Sequence, residues 1–127
     1  MINVVCAVIR DEEGKLLVCR RPAGKALAGK WEFPGGKIEP DEDPELALRR
    51  EIREELACEI GVGLALSEVE HHYPGFSIRL LPFMCCVESG EPAAVEHSEI
   101  RWITLADCAS LDWASADVPV WRSLSGS

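Results

Sequence analysis

Basic residues are scarce in this chain: 13 lysines and arginines stand against 22 aspartates and glutamates, which gives a formal net charge of −9. Nucleic-acid backbones are bound by basic surfaces, so this deficit argues against a general binder of DNA or RNA. Long apolar runs are also lacking, because none approaches the ~20 residues that a membrane-spanning helix needs. We therefore expect neither a nucleic-acid polymer nor a membrane as partner. A small phosphorylated ligand is not excluded, since a metal ion and a few local basic residues suffice to attract it.

The chain also lacks a C-x-x-C pair and any zinc-ligand spacing. Its six cysteines are Cys6, Cys19, Cys58, Cys85, Cys86 and Cys108. Most of them lie within apolar runs, where free cysteine behaves as a small buried hydrophobe. No charged and then apolar leader opens the sequence, so we expect no secretion signal. Together these features predict reduced thiols and a cytoplasmic location.

Hydrophobic residues make up 47% of the 127 positions, which is typical of a folded chain, and we expect one domain over residues 1–127. Alternation and turn residues predict a mixed-sheet α+β fold. The first two strands are predicted to form a hairpin, and a glycine turn is predicted at residues 34–37. The predicted strands cover 2–10, 15–20, 64–71, 76–88 and 101–104, with a loop at 22–31, a central helix before residue 57, a short helix at 105–111 and a final helix at 118–124.

Three glutamates crowd one face of the central helix. Glu51, Glu54 and Glu55 lie three and four positions apart or next to each other, so their side chains project together. Like charges at this spacing destabilise a bare helix, and a bound cation would compensate them. Carboxylate oxygens suit Mg²⁺, which also takes phosphate oxygens of a substrate. A helix rich in glutamate and arginine is by itself more typical of a solvated surface, with pairs such as Arg50–Glu54, so the context decides.

The segment before and within this helix carries signals for its start and its buried face. Asp41 or Asp43 can cap the helix, and Pro44 fits its first turn. An apolar stripe beside the carboxylates should fix the helix on the sheet. The stripe consists of Leu48, Ile52 and Leu56.

The context of the carboxylates resembles the Nudix box, G-x5-E-x7-R-E-U-x-E-E-x-G-U, in which U is an aliphatic residue. The matching positions are Gly36, Glu42, Arg50, Glu51, Ile52, Glu54 and Glu55. Ala57 stands where the box has its second glycine, and Cys58 stands at the final aliphatic position. Both lie beyond the carboxylate face, so they concern the end of the helix more than the chemistry. The similarity extends over nearly the whole chain and is strongest to MutT-like nucleoside triphosphate pyrophosphohydrolases.

This resemblance implies the α/β/α sandwich of the Nudix fold, with a mixed central sheet, the box helix and a C-terminal helix. It also implies Mg²⁺-dependent hydrolysis of a nucleoside triphosphate to a monophosphate and pyrophosphate, with Mn²⁺ as a possible substitute. The implied metal ligands are the Gly35 carbonyl and the side chains of Glu51, Glu54, Glu55 and Glu96. Glu99 is the alternative to Glu96 as the ligand on a loop near the C-terminal third. The implied general base is Glu51 or Glu96.

Arginine and lysine residues near the box complete the implied site. Arg50 is predicted to orient a carboxylate, either Glu42 or one of the helix, because a guanidinium can hold a carboxylate with two parallel hydrogen bonds. Arg21 and Lys37 are predicted to contact the nucleotide, although either could be an ordinary exposed base. Glu32 either lines the site or is a solubilising charge at a strand edge. The three histidines show no metal-ligand spacing and are more typical of surface or loop packing.

The segment around Asp117 carries the clue to the base. By resemblance, enzymes that act on cytidine nucleotides have a similar Ala-Asp-Ile-Pro stretch and a Glu-His pair like Glu96-His97, whereas the enzyme that cleaves 8-oxo-dGTP has asparagine at the matching position. An ionised carboxylate only accepts hydrogen bonds, so Asp117 would prefer an exocyclic amine such as cytosine N4, with adenine N6 or the guanine N1/N2 edge as alternatives. Asp117 is also a good cap for the final helix. Tyr73 and Phe76 could stack on the base or pack locally.

These features leave three functions open. The leading one is hydrolysis of CTP, dCTP or modified dNTPs for nucleotide-pool sanitation, and the second is 8-oxo-dGTP cleavage. A Nudix-fold domain kept for ligand sensing or protein interaction is the third, and the retained carboxylates count against it. The acidic charge counts against an RNA-end hydrolase. A small-molecule nucleotide is the expected partner, and the chain could act as a monomer or a homodimer.

Overall fold

The computed structural model describes residues 1–125, which form eight strands and two α-helices. The strands are β1 (Ile2–Ile9), β2 (Leu16–Arg20), β3 (Trp31–Glu32), β4 (Gly35–Lys37), β5 (Glu59–Ala65), β6 (Val69–Tyr73), β7 (Phe76–Ser89) and β8 (Glu99–Ile103). The helices are α1 (Pro44–Leu56) and α2 (Val118–Ser125), and short 3₁₀ helices cover Leu105–Ser110 and Ser115–Asp117. In this part of the chain, no helix is long and apolar enough to cross a membrane.

The strands form two sheets. The larger has the order β4-β1-β7-β5, and β6 pairs with the first half of β7. β1 and β7 run parallel, whereas β4, β5 and β6 pair antiparallel with their neighbours, so this sheet is mixed. The smaller sheet is antiparallel, with the order β3-β2-β8.

Alternating residues of β1 supply two cores, because successive side chains of a strand point to opposite faces. Val5 and Ile9 pack in the core that contains Leu48 and Ile52 of α1. The alternate β1 residues, Cys6 and Val8, pack in the second core, which contains Trp113 and Val120. The predicted α/β/α sandwich with a mixed sheet and a C-terminal helix is therefore confirmed.

Local sequence signals set both ends of α1. Of the two predicted caps, Asp43 is the one used: its Oδ2 accepts hydrogen bonds from the backbone N–H groups of Glu45 at 3.0 Å and Leu46 at 3.3 Å. Pro44 occupies the first helical position, where its missing N–H costs nothing. The helix ends at Ala57, whose φ of 56° and ψ of 34° lie in the left-handed region that favours glycine.

Replacing Ala57 by glycine, the residue of the box, should stabilise the fold by about 0.5–1 kcal/mol, because a Cβ in the left-handed region is strained. Ala57 is exposed, so the substitution removes no core packing. Urea unfolding of both proteins measures the change, and we expect turnover to stay within about twofold of the original. A large change in rate without a change in unfolding free energy would contradict this assignment.

The glycine segment before α1 differs from the prediction. Residues 35–37 were expected in a turn, but they form β4, paired with Val4, Val5 and Cys6 of β1. A Cβ on Gly35 would overlap with the carbonyl oxygen of Val5, so glycine is required for the close approach of the two strands. Trp31, expected at the end of a loop, and Glu32, expected to lead into the glycine turn, form β3.

Two strand predictions were also wrong in detail. β1 and β2 do not form an extended hairpin, because they belong to different sheets. The Arg10–Leu16 bridge joins the two segments beside the turn. The strand predicted at 64–71 is two strands, and β5 starts at Glu59, ahead of Gly61 and Gly63. Both glycines therefore lie inside the strand. At Gly61, a Cβ would crowd the Glu88 side chain.

Candidate active site

The carboxylate face of α1 lies against β4. Glu55 is buried, with 7% of its surface exposed, and its Oε2 accepts the backbone N–H of Gly35 at 3.1 Å. Burial, and then the nearby carboxylates of Glu32, Glu51 and Glu96, raise the pKa of the Glu55 carboxyl from 4.5 to about 9. Carboxylates that repel one another in a buried place provide the negative oxygen-rich environment that a divalent cation stabilises.

The Glu51 carboxyl group occupies the space beside Gly36 that a side chain at position 36 would fill. A Cβ on Gly36 would overlap with the carboxyl group of Glu51, so any larger residue would displace that side chain. Burial raises the pKa of the Glu51 carboxyl, and hydrogen bonding from Arg50 opposes this shift. The first glycine of the box therefore positions a carboxylate that comes 15 residues later in the chain.

Arg50 holds two carboxylates at once. Its Nε and Nη2 donate to the two oxygens of Glu42, each at 2.9 Å, and Nη1 donates to Glu51 Oε1 at 2.9 Å. Nη2 also donates to the carbonyl oxygen of Lys37 at 3.2 Å, which ties the helix to β4. The i,i+4 partner Glu54 is more distant, at 3.6 Å. The sequence left Glu42 and the helix carboxylates as alternative partners, and the structure shows that Arg50 binds both.

The Glu42–Arg50 pair should make stability depend on acid pH. Hydrogen bonds from the Arg50 side chain, and then from the Glu39 backbone, lower the pKa of Glu42 from 4.5 to about 2. Between about pH 4.5 and pH 2, Glu42 is therefore protonated in the unfolded chain and ionised in the folded chain. The contribution of the pair to the unfolding free energy is complete above about pH 4.5 and is lost as the pH falls towards 2. Urea midpoints measured from pH 6 to pH 3 should fall less steeply for Glu42→Gln than for the unchanged protein. Equal slopes would show that the pair does not contribute.

Of the two rivals for the loop ligand, Glu96 lies beside the helix carboxylates. Glu96 and Glu55 line a small cavity of about 50 Å³ together with Glu32, His97 and Arg21. Glu99 instead accepts a hydrogen bond from Arg101 at 2.6 Å on β8. The oxygen-rich set of Glu51, Glu54, Glu55 and Glu96 fits a hard cation such as Mg²⁺ or Mn²⁺.

A larger cavity of about 450 Å³ opens beside this carboxylate cluster. All five residues that were predicted to bind substrate line it: Arg21, Lys37, Tyr73, Phe76 and Asp117. Gly35 and Gly36 line the same cavity, so it reaches the strand that faces the carboxylates of α1. Its other walls are mainly apolar side chains of β1 and β7, which suits a planar base.

Arg21 and Tyr73 have fixed orientations at the walls. Arg21 Nη1 lies 3.1 Å from Glu32 Oε1, and its Nε donates to the carbonyl oxygen of Ala26 at 2.6 Å. The Tyr73 hydroxyl accepts the backbone N–H of Ala116 at 2.9 Å. The Tyr73 ring stacks on Phe76, with a centroid distance of 5.1 Å and an interplanar angle of 23°. Both aromatic rings are therefore packed together and also face the cavity.

Asp117 is a wall of the cavity rather than a helix cap. Its Oδ2 accepts the backbone N–H of Phe33 at 2.8 Å, and the residue is only 7% exposed. It ends the 3₁₀ turn that precedes α2, so the predicted capping role is replaced by a contact with the chain between β3 and β4. Burial raises the pKa of Asp117 well above its ordinary value, Glu32 adds to this, and the Phe33 N–H and Arg21 oppose it.

Sequence reasoning missed the central place of His97. It was assigned to surface or loop packing, but its side chain is 3% exposed and its Nε2 lies 3.0 Å from Glu32 Oε2. Glu32, for which two alternatives were left open, thus lines the site between Arg21 and His97. The Glu96-His97 pair was the available signal, since a histidine next to a predicted ligand is a candidate for the same site. Phe33 and Cys6 also line the larger cavity and were not predicted.

The fold and the carboxylate helix define a hydrolase of phosphoric anhydrides, and residues 2–124 match the NUDIX domain family. The chain therefore belongs to the Nudix hydrolases and is a nucleotide pyrophosphohydrolase; enzymes of this family generally use divalent metal ions. It is 39% identical over 120 residues to the CTP pyrophosphohydrolase of Escherichia coli, covering 94% of this chain and 88% of that protein. It is 32% identical over 123 residues to the 8-oxo-dGTP diphosphatase of the same organism, covering 97% and 95%.

Solved structures give the same result. The solution structure of the E. coli ORF135 protein aligns with a TM-score of 0.85 and 38% identity, covering 99% of this chain and 89% of that one. The crystal structure of a MutT protein from Methanosarcina mazei aligns with a TM-score of 0.87 and 27% identity, covering 98% and 92%. The predicted membership of the MutT-like Nudix hydrolases is confirmed.

Proposed function

We propose that this protein hydrolyses cytidine-type nucleoside triphosphates (CTP, dCTP or modified and oxidised dNTPs) to a monophosphate and pyrophosphate, with Mg²⁺ or Mn²⁺. The observation that carries the proposal is one continuous site. The cavity that contains Asp117 extends to Gly35 and Gly36, and these glycines contact or make room for the carboxylates of α1. A base at Asp117 would therefore direct its phosphates to the carboxylate cluster. We propose nucleotide-pool sanitation in the cytoplasm as the role of this activity.

The carboxylates of the proposed site would bind the cation, and Arg50 would hold one of them in place. Glu51, Glu54, Glu55, Glu96 and the Gly35 carbonyl would hold the divalent cation, which supplies charge neutralisation and lowers the pKa of bound water. Arg50 keeps Glu51 in place by a hydrogen bond of 2.9 Å and draws Glu42 to its other edge.

The proton of the attacking water has two candidate acceptors, Glu51 and Glu96. Glu51 is held by Arg50, whereas Glu96 has no hydrogen-bond or ion-pair partner among residues 1–125. Lys37 and Arg21 both line the cavity and would bind the phosphate oxygens as cations. Arg21 would have to exchange part of its pairing with Glu32 for the phosphate.

Asp117 supports the choice of a base with an exocyclic amine. The Phe33 N–H occupies Oδ2 of Asp117, which lines the cavity, and we propose that the other oxygen, Oδ1, accepts a hydrogen bond from the base. An amine donor would stabilise the ionised carboxylate in the same way as the Phe33 N–H does. The similarity to a CTP pyrophosphohydrolase agrees with this choice. The relatives that cleave 8-oxo-dGTP make oxidised guanine nucleotides the second candidate.

Pyrophosphate release from a nucleotide panel tests the proposal. The panel holds CTP, dCTP, 5-methyl-dCTP, UTP, 8-oxo-dGTP, dATP, ADP-ribose and a diadenosine polyphosphate, each with Mg²⁺, with Mn²⁺ and with chelator. We expect metal-dependent release that is fastest with a cytidine nucleotide. Preference for 8-oxo-dGTP would replace the proposal by the second candidate. A folded protein without turnover on the whole panel would favour a non-catalytic sensing or interaction role.

A further inference from the structure

His97 stands between the wall of the nucleotide cavity and the carboxylate helix. Its Nε2 lies 3.0 Å from Glu32 Oε2 and 3.8 Å from Glu55 Oε1, and the three side chains are 3%, 16% and 9% exposed. Glu32 also pairs with Arg21 of the cavity wall, and Glu55 accepts the N–H of Gly35. One imidazole therefore connects the two halves of the site.

The surroundings of the ring determine which nitrogen carries the proton. Nδ1 is buried and has no hydrogen-bond partner within residues 1–125, whereas Nε2 faces two carboxylates. A neutral imidazole has one donor and one acceptor nitrogen, and a buried donor without an acceptor is costly. The proton is therefore best placed on Nε2, where it is donated to Glu32 and attracted by Glu55.

We infer that His97 is a positioning residue: its Nε2–H donates to and orients Glu32, attracts the nearby Glu55 carboxyl, and anchors the loop that presents Glu96. Backbone contacts hold the same loop on both sides of the ring. The Val95 N–H donates to the Glu55 carbonyl at 3.2 Å, and the Ser98 N–H donates to the Arg20 carbonyl at 3.0 Å. The role in catalysis rests on the proposed function, because Glu55 and Glu96 are the cation ligands of that proposal.

A transition-metal site is the competing explanation for the same cluster. One ligand atom each of Glu32, Glu55 and His97 lies within 4.8 Å of the others, which is close enough for a shared ion. Ligation through Nε2 would move the proton to Nδ1, where no acceptor is present among the described residues. Metal-bound histidines usually donate their second N–H to a carboxylate or carbonyl. The donor role therefore fits the surroundings of the ring better.

Two substitutions separate a donor from a space-filling side chain. His97→Gln keeps an N–H donor near the position of Nε2, whereas His97→Leu keeps an apolar group of similar size without a donor. We expect His97→Leu to lower kcat about 10- to 100-fold, as loss of a partner of a ligating residue typically does, with a smaller change in KM. His97→Gln should recover most of the loss. The control is His72→Leu, at an exposed histidine that contacts Ser77 outside the site, and it should leave kcat unchanged.

Mn²⁺ binding gives a readout that does not need turnover. Titration followed by electron paramagnetic resonance should show weaker Mn²⁺ binding in His97→Leu and near-original binding in His97→Gln, with urea midpoints to confirm folding. If the unchanged protein binds Mn²⁺ but cleaves no nucleotide, the proposed function fails while this comparison still tests the positioning. If both variants have the same kcat and the same Mn²⁺ affinity as the unchanged protein, the inference is overturned.

Co²⁺ distinguishes the competing explanation. If His97 ligates a metal, the Co²⁺ absorption spectrum of the unchanged protein should show nitrogen-ligand bands that the spectrum of His97→Gln lacks. The kcat of His97→Gln should then be as low as that of His97→Leu. That result would overturn the positioning role. Combining His97→Leu with Glu32→Gln gives a further test, since a shared hydrogen bond predicts that the double variant loses less than the product of the two single losses.

Discussion

Replacing Glu54 by glutamine is expected to lower kcat/KM at least about a hundredfold while the fold stays intact, because a ligand to a catalytic cation contributes several kcal/mol to the transition state. The Glu54 side chain is 55% exposed and its nearest ion-pair contact is Arg50 Nη1 at 3.6 Å. Glutamine has the same size and keeps the helix propensity, so only the charge and the proposed anionic ligand are lost. Among the helix carboxylates, Glu54 is therefore the one that can be changed with the least effect on packing.

Steady-state rates with the best nucleotide of the panel, at several Mg²⁺ concentrations, measure this effect. Glu45→Gln is the matched control, since Glu45 is an exposed glutamate in the first turn of the same helix. Far-UV circular dichroism and urea midpoints should agree within error for both variants and the unchanged protein. A rate near the original for Glu54→Gln would remove this residue from the metal site.

Asp117→Asn should reverse the preference between an amine and a carbonyl on the base. The buried Phe33 N–H requires an acceptor, so the asparagine carbonyl should take the place of Oδ2, at 2.8 Å, and its NH₂ group should face the cavity. A donor then replaces an acceptor at this position. Since a well-formed pair of hydrogen bonds contributes about 1–3 kcal/mol of discrimination between bases, we expect the ratio of kcat/KM for CTP to that for UTP to fall about 5- to 100-fold, with a gain for 8-oxo-dGTP.

Competition assays with CTP and UTP, and separately with 8-oxo-dGTP, give these ratios directly. Asp112→Asn serves as the control, because Asp112 is an exposed aspartate that pairs with Lys30. An unchanged base preference in Asp117→Asn would show that this carboxyl supports the Phe33 backbone and does not contact the base. The proposal for hydrolysis would remain, and the choice of cytidine would have to be withdrawn.

The helix and its chemistry could be predicted because their signals are local. The cap Asp43, the proline after it, the apolar stripe and the spacing of Glu51, Glu54 and Glu55 all lie within residues 43–56, and side chains at such spacing meet on any helix. The strands β1 and β7 were also predicted within a few residues, since both are long β-branched or apolar runs. The short pieces at residues 31–32 and 35–37 were not, because strands of two or three residues contain too little pattern.

The fold family, the carboxylate face of α1 and five residues of the larger cavity could be predicted from the amino-acid sequence alone. The pairing of the polar side chains became visible in the folded structure alone: Arg50 binds both Glu42 and Glu51, Asp117 binds the Phe33 backbone, and His97 lies between Glu32 and Glu55. This pairing could not be predicted because a charged or polar side chain has several suitable partners along the chain. The choice among them is made by strand packing and by burial, which place one partner within hydrogen-bonding distance and leave the others in water.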